Sequence, residues 1–148
     1  MKELSVLVKQ LRSQEFVTRG LQKAARLVEA EAKKRVPDVN GILKMSIQHD
    51  VEGNTAHIGT NNPYAPYVEY GTGIFAVAGN GRQTPWAYIV RGAYADKYWS
   101  PDKKNCFMDA EGNKWIWTRG QKPQPYLETA LKDNEKKILD LFTLEDNV

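Results

Sequence analysis

Apolar residues in the first 36 positions recur three and four apart: Leu4, Leu7, Leu11, Val17, Leu21, Ala24, Ala25, Val28 and Ala32. That period predicts helix. The register drifts near Ser13 and then meets Gly20, which predicts two pieces, a short one over 4–12 and a long one from about residue 14 to Val36. The opening Leu-Ser-Val-Leu-Val also alternates like an edge strand. The long helix has a mechanical end, since Pro37 disfavours helical conformation at Val36 and brings no amide donor. Lys33, Lys34 and Arg35 fall in its last turn, where positive charge suits the helix dipole.

Beyond Asn40-Gly41, a turn signal, the period changes to two. Leu43, Met45, Ile47 and Val51 alternate with Lys44, Ser46, Gln48 and Asp50, which predicts a half-buried strand. Glu52-Gly53-Asn54 then turns the chain into Thr55 to Gly59, giving a hairpin, with His49 and His57 as structural histidines. Residues 74–85 are irregular and read as an exposed arm. Strands are expected at Trp86 to Val90 and Lys114 to Thr118, with Cys106 to Met108 leading into a turn at Asp109 to Asn113. Residues 92–105 form a second long exposed loop. After Pro123-Gln124-Pro125, stiff and extended, Leu127, Ala130, Leu131, Ile138, Leu141 and Phe142 make the stripe of a terminal helix, followed by a polar tail over 144–148. Without an internal repeat or linker, the chain reads as one domain over 1–148. The class is α+β: a long N-terminal helix and a C-terminal helix packed on one face of a mainly antiparallel sheet of about four strands.

The densest stretch is Tyr64 to Gly73, Tyr-Ala-Pro-Tyr-Val-Glu-Tyr-Gly-Thr-Gly. Pro66 fits the first turn of a helix and Gly71 supplies an exit, so the stretch reads as a helical turn with a hard stop. Tyr64, Tyr67, Val68 and Tyr70 crowd around Glu69, and Tyr67 is expected to be structural. Glu69 is either a structural acceptor or a fixed carboxylate at a contact surface. Trp115 and Trp117 share one face of their strand and are either the lid of a core or an interface anchor.

Tyr-Ala-x-x-Val-Glu-x-Gly-Thr resembles the signature of the HK97 gp10-like family of tailed-phage proteins. Arg35-Val36-Pro37-Asp38-Val39-Asn40-Gly41-Ile42-Leu43-Lys44-Met45-Ser46-Ile47 is similar to that family's basic-x-Pro-x-x-Thr-Gly-x-Leu-x-x-Ser-Ile segment, with Asn40 in place of Thr. Thr118 to Leu127, followed by Ala130, is similar to its Gly-x-x-Pro-x-Pro-Phe-Leu-x-x-Ala pattern, with Tyr126 in place of Phe. The resemblance covers roughly residues 22 to 142. The resemblance implies a structural virion component, a tail-completion or head-tail joining protein of the neck. It also implies a ring of identical subunits, sixfold, between connector, terminator and tail tube, with phage DNA in the lumen. It implies no catalytic residue, no cofactor and no metal. Tyr64, Tyr67, Glu69, Tyr70, Gly71, Thr72, Trp99, Trp115, Trp117, Pro123, Pro125 and Tyr126 are the positions expected to serve as structural motif or interface.

Composition narrows the alternatives. At 41% hydrophobic and 26% charged the chain is ordinary for a globular protein, with no apolar run near the roughly 20 residues that cross a bilayer. The first ten residues lack the uninterrupted apolar core of a signal peptide, so the chain is expected to stay in the cytosol of the cell that makes it, while the resemblance implies assembly in the host cytoplasm and residence in the virion. One cysteine, Cys106, and two histidines exclude an intrachain disulfide and leave no cluster with metal-site spacing. The net charge of +3 is distributed in blocks. Residues 1–36 carry nine Lys/Arg against four Asp/Glu, 37–69 one against four, 70–125 eight against four, and 126–148 three against six. Such alternation suits head-to-tail contact between copies, and equally suits solvated faces. Two other classes remain. Tyr94, Tyr98 and Trp99 among Lys97, Lys103 and Lys104 are the elements of a nucleic-acid-binding loop over 92–105. A hydrolase would have to pair Glu69 with His49 or His57.

Overall fold

The computed structural model describes residues 2–37 and 41–143, with side chains from Arg12 to Phe142 outside that gap. The class is α+β, with six α-helices and five strands among the described residues. The strands form two small antiparallel sheets, of two and three strands, where one sheet of about four was expected. The chain groups into two compact units: Met1–Arg35 with Met45–Asn61 and Tyr126–Val148, and Val36–Lys44 with Asn62–Pro125.

In the first unit, α1 (Lys2–Arg35) is one helix, neither an edge strand at its start nor broken near Ser13 or Gly20. Gly20 is a contact residue. A Cβ built there would lie 2.3 Å from Cε1 of Phe142, so the absent side chain makes room for that ring. Leu4, Leu7 and Leu11 have side chains outside the described residues. Ala24, Ala25, Val28 and Ala32 form the buried stripe of α1. It packs on β1 (Gln48–Glu52), β2 (Thr55–Gly59), α5 (Tyr126–Lys132) and α6 (Glu135–Thr143). At the end of α1, Arg35 donates to the carbonyl of Thr129 at 2.9 Å and pairs with Asp133 and Glu31, which ties α1 to the last turn of α5.

β1 and β2 pair antiparallel from Gln48↔Gly59 to Glu52↔Thr55 around Gly53-Asn54, as the turn chemistry requires. His49 faces inward and its Nδ1 meets Glu29 of α1, whereas His57 is exposed. The expected terminal helix is two helices. Asn134, almost fully buried, donates from Nδ2 to the Ala130 carbonyl at 2.9 Å and accepts from the Ile138 amide at 2.9 Å, so it ends one helix and begins the next. Residues 144–148 lie outside the described residues.

The strand expected from Leu43 starts later. Ile42–Ser46 is a short helix, α2, preceded by Gly41 with φ 80°, while Asn40 lies outside the described residues. Leu43 and Ile47 are buried and four apart, which fits a helical turn as well as alternation; Met45, 78% exposed, shows which period operates.

The second unit contains α3 (Ala65–Tyr70), a 3₁₀ turn (Gly73–Phe75), β3 (Trp86–Val90), α4 (Gly92–Tyr98), β4 (Cys106–Met108) and β5 (Lys114–Thr118). The sheet order is β3-β5-β4, with Tyr88↔Ile116 and Cys106↔Ile116 in register. Helix α4 corrects the expected long loop over 92–105. Ala95 and Trp99, four apart, turn toward Val90 and Ile116, and Tyr88 and Cys106 complete that core. The turn at 109–113 is present, held by the Asp109 carboxylate accepting from the amides of Glu111 and Asn113.

Candidate interface

Pro66 opens α3 and Gly71, with φ 74°, closes it. One turn therefore has two faces. Ala65 and Glu69, four apart, go inward, with Glu69 only 4% exposed; Tyr64, Tyr67 and Tyr70, three apart, go outward at 70%, 55% and 58% exposure. This corrects the expectation that Tyr67 is structural, and it removes Glu69 from any contact surface. The spacing that seemed to crowd the tyrosines around the carboxylate instead separates them from it. Ile74, Phe75 and Val77 continue the exposed apolar run.

Two motifs that are far apart in sequence form one feature. The Thr72 amide donates to the Gln121 carbonyl (2.9 Å), the Gln121 amide to Thr72 Oγ1 (2.8 Å), the Ile74 amide to the Arg119 carbonyl (3.1 Å) and the Gln124 amide to the Val68 carbonyl (2.8 Å). At the crossing a Cβ on Gly73 would lie 2.0 Å from the Arg119 carbonyl oxygen, and one on Gly120 would lie 2.0 Å from that of Thr72. Both glycines have positive φ, 60° and 131°. Backbone meets backbone there, so neither residue can carry a side chain. Pro123 lies beside Gly71, Pro125 directly precedes α5, and Tyr126 is buried in the first unit. Only the glycines of both segments, taken as a pair, hint at this crossing in the sequence.

The sheet of the second unit has an aromatic outer face. Trp115 and Trp117 share it, as alternation requires, and Phe107 joins them from β4. The Phe107 ring is nearly parallel to Trp115 at 6.0 Å and tilted against Trp117 at 6.1 Å. Ile89 stands opposite Trp115 on β3. Trp117 is 49% exposed, and Phe107 and Ile89 are exposed too. Sequence reasoning missed Phe107 and Ile89, because their place depends on cross-strand register. Trp115 is half-buried, and its Nε1 donates to Asp109 Oδ2 at 2.8 Å. That hydrogen bond, followed by those from Asn113, holds the Asp109 carboxyl below its usual range.

On the inner side, Trp99 is a core residue and no free interface anchor. Its Nε1 donates to the Phe107 carbonyl at 3.2 Å, and the Lys114 ammonium lies 5.0 Å from its ring. Tyr94 and Tyr98 pack at 4.5 Å, and Tyr88 Oη lies 3.4 Å from Tyr94 Oη. Burial raises the Tyr88 phenol above its ordinary pKa. Of the aromatics of 92–105, Trp99 is packed against the core, while Tyr94 and Tyr98 stack on each other and stay 41% and 37% exposed. No helix among the described residues is long and apolar enough to cross a membrane.

A family model described as "Bacteriophage HK97-gp10, putative tail-component" matches residues 1–71. Over these residues the chain is similar to the HK97-gp10-like family. The matched part takes in α1, α2, the β1–β2 hairpin and α3, and with them the segment Arg35 to Ile47 and the motif from Tyr64 as far as Gly71. The third, around Pro123 and Pro125, lies beyond the match and is bound to the HK97-gp10-like signature through Val68. No curated protein and no solved structure matches the chain.

Proposed function

We propose that the protein is a structural component of a phage tail that completes the tail or joins it to the head. It acts as a ring of identical subunits, six by analogy with the family. The observation that carries this reading is the match of residues 1–71 to a tail-component family. Exposed large apolar residues support it, since Tyr64, Tyr67, Tyr70, Val77 and Trp117 offer contact area that the subunit's own core does not use. The partners are further copies of the chain and the neighbouring connector, terminator and tail-tube proteins. Assembly takes place in the host cytoplasm, and DNA passes through the finished lumen. The role requires no catalytic group.

The test is a reconstruction of particles made with and without the protein. Tails lacking it should fail to join heads or should end irregularly, and intact particles should show a closed ring of this chain at the neck or tail end. A density that holds the chain once, or nowhere in the particle, overturns the reading.

A further inference from the structure

We infer that the aromatic face of the three-stranded sheet receives the C-terminal helices α5 and α6 of a second copy of this chain. The inference rests on the ring reading and names the two patches that would repeat around the ring. On one side, Ile89, Phe107, Trp115 and Trp117 adjoin through cross-strand pairing and ring contact. Arg91 and Arg119, both exposed, follow β3 and β5 at opposite ends of that face. Its acid, Asp109, is already engaged by Trp115 and Asn113. Aromatic residues and arginine with little free acid are the composition of an interface centre.

The complement is on the same chain. Leu131 and Leu139 are 50% and 65% exposed on α5 and α6; Glu135, also exposed, stands four residues before Leu139, whereas Glu128, three before Leu131, is already paired with Lys132. Their own fold does not need these leucines: α6 turns Phe142 toward Gly20 and leaves Leu139 outside. Leu139 with Glu135 one turn before it on α6 offers an apolar side chain and a carboxylate together, which matches an apolar sheet face flanked by arginines. Two different patches that fit each other make a heterologous contact, which repeats in one direction and gives a ring when the rotation between copies closes. Opposite charge at the rim sets the orientation. A second copy is favoured over nucleic acid because the face includes aliphatic Ile89 and an ionised Asp109, and because the chain itself carries the matching stripe.

Particles are assembled with full-length chain carrying p-benzoylphenylalanine in place of Trp117, then irradiated. The expected product joins two copies, with the cross-link mapped to residues 127–143 of the second. Cross-links to nucleic acid, to another tail protein alone, or to a different part of the second copy overturn the inference. Independently, Arg119→Glu and Glu135→Arg should each lower the yield of joined particles by about tenfold while melting like the parent, and together restore most of it. Failure of the pair to restore yield counts against the contact. A reconstruction that shows a ring with different patches in contact refutes this inference and leaves the ring standing, whereas one showing a single copy refutes both.

Discussion

Gly73 and Tyr67 belong to the same short motif and should respond oppositely to alanine. Tyr67 stands outside, so Tyr67→Ala should change stability by no more than about 0.5 kcal/mol in chemical denaturation, while particle yield falls if the tyrosine row meets a partner. Gly73→Ala adds a methyl against the Arg119 carbonyl at positive φ and should cost at least about 1–3 kcal/mol, read from the same titration. Ile47→Ala, at a fully buried position, should cost about 2–5 kcal/mol. Glu29 gives the acid limb a direction. Lys33 first, and then His49, hold its carboxyl below the usual range against the opposing effect of partial burial. A carboxylate with a depressed folded pKa stabilises the fold above its unfolded pKa, and that stabilisation is lost as pH falls through the folded value. Glu29→Gln should therefore be less stable than the parent near neutrality, and the gap should close toward and below about pH 4 in denaturant titrations at several pH values.

At the scale of elements, proteolysis separates the loops. Residues 78–85 and 101–105 hold no helix or strand, while 92–98 are helical with Ala95 in the core, so trypsin should cut after Arg82 and after Lys103 or Lys104 before it cuts after Lys97. First cuts at Lys97 would contradict the packing of α4. What could be read from sequence follows the range of the interaction that decides each element. The hairpin at 48–59 and strands 86–90 and 114–118 were legible because turn residues and alternation are local. Residues 42–46 were not, because Leu43 and Ile47 satisfy both periods and only Met45 distinguishes them. The continuity of α1 through Gly20 depends on Phe142, far along the chain, so no nearby residue announces it. The same holds for the candidate interface. That Trp115 and Trp117 share a face was visible; that Phe107 and Ile89 complete it depends on register, and that Tyr67 is outside depends on Ala65 and Glu69 taking the inner side.

For the whole molecule, the boundary between the two units is crossed by the chain four times, after Arg35, Lys44, Asn61 and Pro125. We expect them to melt as one domain, in a single calorimetric transition whose van't Hoff and calorimetric enthalpies agree; two resolved transitions would show independent units. The first unit is also assembled from chain ends, since α1 packs on α5 and α6. During translation the β1–β2 hairpin follows α1 closely, but α5 and α6, the other partners of α1, come roughly 90 residues later, or on the order of 5–20 s at ordinary elongation rates. A product cut short before Tyr126 keeps the β1–β2 hairpin against α1 but lacks α5 and α6, so part of the surface that α1 buries in the full chain is left uncovered. The packing of the first helix is thereby finished only by the last two helices of the fold.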